Sequence, residues 1–480
     1  MYNKEKLMAN INGFEPVISD VNDKIWSYSE VYFKENRSAL ALSKAAEAEG
    51  FTTENGVCGI PTAFVSKWGA KGPKIGFLAE YDALPSLCQK CGATEKRPDE
   101  GHESGDAGHG CGHNSLGAGA LGAAIGLKKY CQENSVDAQI YLFGCPGEEN
   151  GSGKVFMARD GLFDDMDICL TWHPGNSNKI VGSGSLANIS IKFKFYGRTS
   201  HAAASPHLGR SALDACELMN VGVNYLREHI VPQARIHYSY LNAGGKAPNV
   251  VQDYACTYYF VRAPKASQAF EISDRVYDIA RGAALMTGTR LEICTMDGLS
   301  DYIPNKTLGE VMSDCFKEVG APKFTKEELE LAKKYAATFD KSELLLAKAE
   351  CAKRNDVEES AYDDVYMDNL VPSYKHCPEP ADPGSTDVGD VSYCCPTAQC
   401  RVATVALGTP GHSWQMTAQG ATSAAHKGVI VAAKVMALTA LKAIDNPEII
   451  HLAKAEHKKN VPDGYICPTP KDFKPDLEEE

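Results

Sequence analysis

Over residues 74–174, short apolar runs alternate with longer stretches of helical periodicity. KIGFLAEYDALP, QIYLFGCPGEE and DICLTWHP read as buried strands, each opening on hydrophobic residues and closing on polar residues and a turn. Helical periodicity over about 115–131 and 153–160 predicts the helices between them. Strands alternating with helices predict a parallel sheet covered on both faces, an α/β, doubly wound architecture. Each strand ends on residues capable of chemistry: Glu80 and Asp82, Glu148 and Glu149, and His173. Ligands of open α/β sheets bind beyond the carboxyl ends of the strands, so these side chains are expected to converge.

The pattern changes after Leu186. In ANISIKFKFYGR, Ile189, Ile191, Phe193 and Phe195 alternate with Ser190, Lys192 and Lys194, the mark of a half-exposed antiparallel strand. A helix (SALDACELMNVGVNYLREHIV), two strands (RIHYSYLNAGG and DYACTYYFVRAP), a second helix over about 266–285 and a strand (RLEICTM) follow. This β-α-β-β-α-β order predicts a small, ferredoxin-like α+β domain inserted into the first. The expected organisation is a catalytic domain in two parts, 1–186 and 299–480, interrupted by an inserted domain at 187–298. Residues 322–370 are charged and helix-prone and read as a solvated helical insertion. The end, DGYICPTPKDFKPDLEEE, is Pro-rich and acidic and reads as an extended or frayed tail.

Composition then removes alternatives. The 480 residues exceed the ~250–300 beyond which one core divides into several. No apolar run approaches the ~18 residues of a membrane span, and the first residues hold no signal-peptide core, so a cytoplasmic protein without a membrane partner is expected. A net charge of -13 with no basic stripe speaks against nucleic acid as a partner. The 17 cysteines are odd in number and scattered, which suits reduced, packed thiols better than a disulfide framework.

Within this frame one cluster of motifs carries chemistry. GHGCGHN sets Cys111 and His113 either side of Gly112, so a tight turn can present a thiolate and an imidazole together. Glu148 and Glu149 follow an apolar strand; neighbouring side chains point apart, so one can bind a metal while the other faces a water as general base. His173 ends its strand before Pro174, and His412 follows the apolar RVATVAL and a Gly-Pro-Gly turn. Singly, each has an ordinary explanation, since paired glutamates and loop histidines are common at surfaces. Together, Cys111, His113, His173, His412 and one glutamate, with the other to spare, suit two metals that share a bridge. A second metal reading stays open: Cys88-x-x-Cys91 with Cys111 and His113 could close a structural zinc clip. His102 and His109, in the preceding loop, are expected to be solvated or to back the ligands.

AEYDALP, GHGCGHN, GCPGEE, TWHP, GRTSHAAASPHLGRSALDA, GGKAPNVV, VRAP, GSTDVGDVS and GTPGHSWQ occur in an order, over about residues 10–450, that resembles the amidohydrolase branch of the aminoacylase/carboxypeptidase-type metallohydrolases. The resemblance implies two divalent metal ions, Mn2+ or Zn2+, held by Cys111, His113, Glu149, His173 and His412, with Glu148 as general base and Asp82 orienting a ligand. It implies that His201 reaches into a partner subunit's site to stabilise the oxyanion, which makes the inserted domain a lid and dimerisation domain. Asn249, Arg262, Gly384, Ser385 and Thr386 would contact substrate. The implied reaction is hydrolysis of an N-acyl or N-aroyl amino acid, foremost p-aminobenzoyl-glutamate, with other N-acyl amino acids or dipeptides as alternatives. The implied assembly is a homodimer or a heterodimer with a related chain, and a non-catalytic ligand-binding role within such a pair is the competing reading.

Overall fold

A seven-stranded sheet lies at the centre of the computed structural model, which describes residues 2–380, 384–475 and 477. The chain opens with helices α1 (Lys4–Gly13), α2 (Glu15–Tyr28) and α3 (Asn36–Ala48). It continues through β1 (Thr52–Asn55), β2 (Phe64–Trp68), β3 (Lys74–Ala79), α4 (His113–Asn134), β4 (Gln139–Gly144), α5 (Gly153–Arg159), β5 (Ile168–Gly175) and β6 (Lys179–Ile180). Next come β7 (Ser183–Gly184), β8 (Ala187–Tyr196), α6 (Ala212–Leu226), β9 (Arg235–Asn242), β10 (Tyr254–Ala263), α7 (Ala266–Thr287) and β11 (Arg290–Leu299). The last part holds α8 (Lys306–Val319), α9 (Lys326–Ala336), α10 (Lys341–Asn355), β12 (Cys377–Pro380), α11 (Val388–Cys394), β13 (Thr397–Ala403), α12 (Trp414–Gln419), α13 (Ser423–Asp445) and α14 (Pro447–Asn460).

The large sheet runs β1-β2-β4-β3-β5-β13-β6. Its centre, β4-β3-β5-β13, is parallel, as expected, but β1, β2 and β6 are antiparallel to their neighbours. The reason is connection length: the link from β5 to β6 is too short for the crossover a parallel strand needs. Helices cover both faces. On one, α1, α2, α4, α8 and α13 bury the main core; on the other, α5 and α11 pack on Leu78, Phe143 and Cys169. Small residues let α4 lie close to the sheet: a Cβ on Gly119 would stand 2.4 Å from Trp172 Nε1, which donates to Leu116 O at 3.0 Å.

Residues 187–299 form a second, four-stranded antiparallel sheet, β11-β8-β10-β9, with α6 and α7 packed over a core of their own. In β8 the four predicted apolar residues are buried, but so are Asn188 and Ser190. The strand is central rather than half-exposed, and the chain entering it is tied to the larger unit by Leu186 N–H to Gly384 O at 3.0 Å.

Two other expectations are corrected. The 322–370 stretch is helical but not simply solvated: Ala332, Tyr335, Ala336 and Phe339 pack against Ala406 and Ala418, in the chain flanking His412. Its charges line the outer face, while period-3.6 apolar positions face inward. The C-terminal stretch does not fray up to residue 475. Phe473 stacks on Phe156 with ring centroids 5.7 Å apart, and Tyr465 Oη donates to Asp390 at 3.0 Å.

Candidate metal centre and catalytic cavity

The carboxyl ends of β3, β4, β5 and β13 bring the strand-end residues into one place. Asp82, just past β3, is buried and uses both oxygens: Oδ1 accepts from His113 Nδ1 at 2.8 Å and Oδ2 accepts the Glu149 backbone N–H at 3.0 Å. His113 is the first residue of α4, and Gly112 before it has φ +83°, a left-handed turn that favours glycine. With Nδ1 donating to Asp82, Nε2 of His113 carries the lone pair and faces the site.

The Glu148–Glu149 turn rests on a residue that no motif indicated. Glu35 is fully buried, accepts the Gly147 N–H at 2.8 Å and the Thr62 hydroxyl at 2.9 Å, and has its pKa pushed up to about 8, first by burial and then by the charge of Asp82.

Cys111 Sγ lies 3.4 Å from His173 Nε2, and the His173 Nδ1–H donates to Pro174 O at 2.7 Å. His412 Nε2 stands 3.1 Å from Glu149 Oε1. His412 is held in the left-handed region, φ +51°, and its N–H donates to Gly110 O at 3.0 Å, a conformation that costs on the order of 1–3 kcal/mol and that the surroundings must enforce. Two triplets of donor atoms, Cys111/His113/His173 and Cys111/Glu149/His412, each fall within 4.8 Å of one another, and Cys111 belongs to both. A third group, Glu80/His113/Glu148, adjoins them.

The electrostatics fit cations. His113 Nε2 and Glu149 Oε1 are buried without an aligned hydrogen bond, as metal donors would be. Burial opposes charge on Cys111, yet the imidazoles of His113 and His173 hold its thiol well below the usual range. Burial likewise opposes protonation of His113, but Cys111 and Asp82 hold its pKa well above the imidazole range, a sign of converging negative charge. Glu148 is pushed well above the carboxylate range by burial, then by Glu80 and Asp387. Those two carboxylates share the buried Lys154, whose Nζ is 2.7 Å from Glu80 Oε1 and 2.6 Å from Asp387 Oδ1.

These residues open onto a cavity of about 380 Å³ lined by Cys111, Glu148, Glu149, His173 and His412, with Gly384, Ser385, Thr386 and Arg401 opposite. Arg262, on β10, donates to Ser385 Oγ at 3.4 Å and so meets the rim of this cavity through the 384–386 loop. His201 and Asn249 do not line it. They lie together on the exposed side of the smaller unit, where His201 Nδ1 accepts the N–H groups of Ala203 and Ala204. Among the described residues no metal-capable group includes Cys88 or Cys91, and burial lifts the Cys91 thiol to about 11, which disfavours thiolate and the zinc clip alike. His102 is exposed beside Asp106, whereas His109 is not solvated: it is buried, with its Nε2 2.9 Å from Ile25 O.

Residues 76–367 match the profile described as Peptidase family M20/M25/M40. The chain is 42% identical over 464 residues to one of the two p-aminobenzoyl-glutamate hydrolase subunits of Escherichia coli (strain K12), with 95% of each chain covered. It is 29% identical over 465 residues to the Xaa-Arg dipeptidase of Mus musculus, covering 93% of this chain and 90% of that protein. Its fold is shared with the crystal structure of an aminobenzoyl-glutamate utilization protein from Klebsiella pneumoniae, at TM-score 0.59 and 15% identity over 90% of this chain and 97% of that one.

Proposed function

The chain belongs to peptidase family M20/M25/M40 and is a metal-dependent hydrolase, and from that premise we propose that it cleaves the amide bond of p-aminobenzoyl-glutamate. The observation that carries this reading is the pair of donor triplets sharing Cys111, with Glu148 beside them in one cavity. Cys111, His113 and His173 would hold one divalent ion, and Cys111, Glu149 and His412 the other. Thiolate and imidazole suit Zn2+, while the carboxylate and imidazole donors also admit Mn2+. Such a pair, when bound, polarises an amide carbonyl and lowers the pKa of water.

The protein's own groups do the rest. Glu148, whose burial and acidic neighbours raise its proton affinity, takes a proton from the attacking water and returns it to the leaving amine nitrogen. Asp82 fixes the ring of His113 and the backbone of Glu149, so two donors move as one unit. The 384–386 loop and Arg262 border the space for the substrate's amino-acid end. His201 would donate to the oxyanion of substrate bound in a partner's site, which agrees with its exposed position away from its own cavity. The exposed edge strand β9 and the apolar Leu218, Val221 and Tyr225 on α6 offer that unit a surface for a second chain, identical or related.

Metal analysis together with hydrolysis of p-aminobenzoyl-glutamate on the same metal-loaded sample tests the reading. Two ions per chain with glutamate release are expected. Two ions with hydrolysis of Xaa-Arg dipeptides alone would transfer the reading to the dipeptidase relative, and a chain that holds no ion would overturn it.

A further inference from the structure

Next to the catalytic cavity lies a second pocket, of about 400 Å³, whose wall includes Lys179, Ser183, Arg354, Ser373, Lys375 and Arg401. Four of these six are cations, and among the described residues the wall holds no carboxylate. This is unusual in a chain of net charge -13. The cations come from distant parts of the sequence: β6, α10, the segment before β12, and β13. Arg354 is oriented by a hydrogen bond to Ser177 Oγ at 3.1 Å.

The sheet connects this pocket to the chemistry. Arg401 pairs in register with His173 on one side and Lys179 on the other, and residues in register point to the same face. Strands are ~4.8 Å apart, so Arg401 stands about one strand and Lys179 about two strands from His173. Arg401 lines both the catalytic cavity and the cationic pocket. Planar guanidinium groups pair with carboxylates through two parallel hydrogen bonds, and a cleft lined by one sign of charge concentrates the opposite ion.

We infer that this pocket is an anion subsite continuous with the catalytic cavity, which takes a carboxylate of the substrate's amino-acid portion and selects acidic acyl-amino acids over neutral or basic ones. The inference rests on the hydrolase reading and names the residues that set its specificity. It also gives the 322–370 stretch a task, because α10 supplies Arg354. An arginyl substrate would place a fifth positive charge among four.

N-benzoyl-L-glutamate and N-benzoyl-L-glutamine have nearly the same shape and differ by one charge. The metal-loaded protein is expected to prefer the glutamate, and in an Arg354→Gln/Lys375→Gln double variant the glutamate-to-glutamine ratio of kcat/KM should fall by ~10-fold or more, mainly through KM. An unchanged ratio overturns the inference. Calorimetric titration with glutarate needs no turnover: Kd is expected to rise ~10-fold in the double variant, and equal binding by both proteins overturns the subsite. If no acyl-amino acid is cleaved while glutarate still discriminates between the two proteins, the hydrolase reading fails and the anion pocket stands.

Discussion

One carboxylate sets much of the site's geometry: Asp82 holds the His113 ring with one oxygen and the Glu149 backbone with the other. The adjacent glutamates are thereby separated in role, Glu149 toward His412 and Glu148 toward Glu80 and His113. In the proposed mechanism only Glu148 must accept a proton. Glu148→Gln keeps the shape but removes the base, so metal content should stay at the wild-type level while kcat falls by about 10²–10⁴-fold. Elemental analysis and turnover on the same sample check this, and undiminished turnover would remove Glu148 as the base. The Lys154 ion pair below it is of another kind: with both carboxylates and the amine buried, removing one partner strands the others, and structure suffers before chemistry.

Among the elements, α9 has the least expected part. Tyr335 is fully buried and packs with Phe339 on Ala406 and Ala418, while its Oη reaches Ala418 O at 3.4 Å. These contacts lie under the chain that bends through His412, whose left-handed backbone needs support. Tyr335→Ala should cost about 3–5 kcal/mol of stability, the range for deleting a large buried aromatic. Tyr259→Ala, in the separate core of the smaller unit, should cost a comparable amount. If α9 braces His412, kcat/KM measured well below both melting temperatures should drop further in Tyr335→Ala than in Tyr259→Ala. Equal losses would reduce α9 to a stabilising role.

At the scale of the whole molecule, the two sheets have separate cores, and His201 lies on the unit that does not carry the candidate metal donors. A histidine acting across an interface between chains makes a distinctive prediction. Glu148→Gln and His201→Ala, each nearly inactive alone, should regain activity when mixed and allowed to exchange partners. One site of each mixed dimer would have an intact Glu148 and an intact His201 from its partner, so about a quarter of all sites would recover in a two-fold assembly. Failure to regain activity, with exchange shown by a tagged copy, would place His201 outside the reaction.

The sequence by itself determined the features that local physics encodes. Apolar runs ending in Glu80, Asp82, Glu148, Glu149 and His173 marked out the central strands, because strand period and turn chemistry act within a few residues. The left-handed Gly112 between Cys111 and His113 was legible for the same reason. Only the tertiary structure decided what joins distant positions. Lys154 and Asp387 are 233 residues apart, Glu35 and Gly147 are 112 apart, and His109 is buried by a bond to Ile25, 84 residues away. The cationic pocket likewise needs Arg354, Lys179 and Arg401 together. No periodicity marks such partners, since a buried polar residue reads like an exposed one until packing removes it from water and supplies its counterpart.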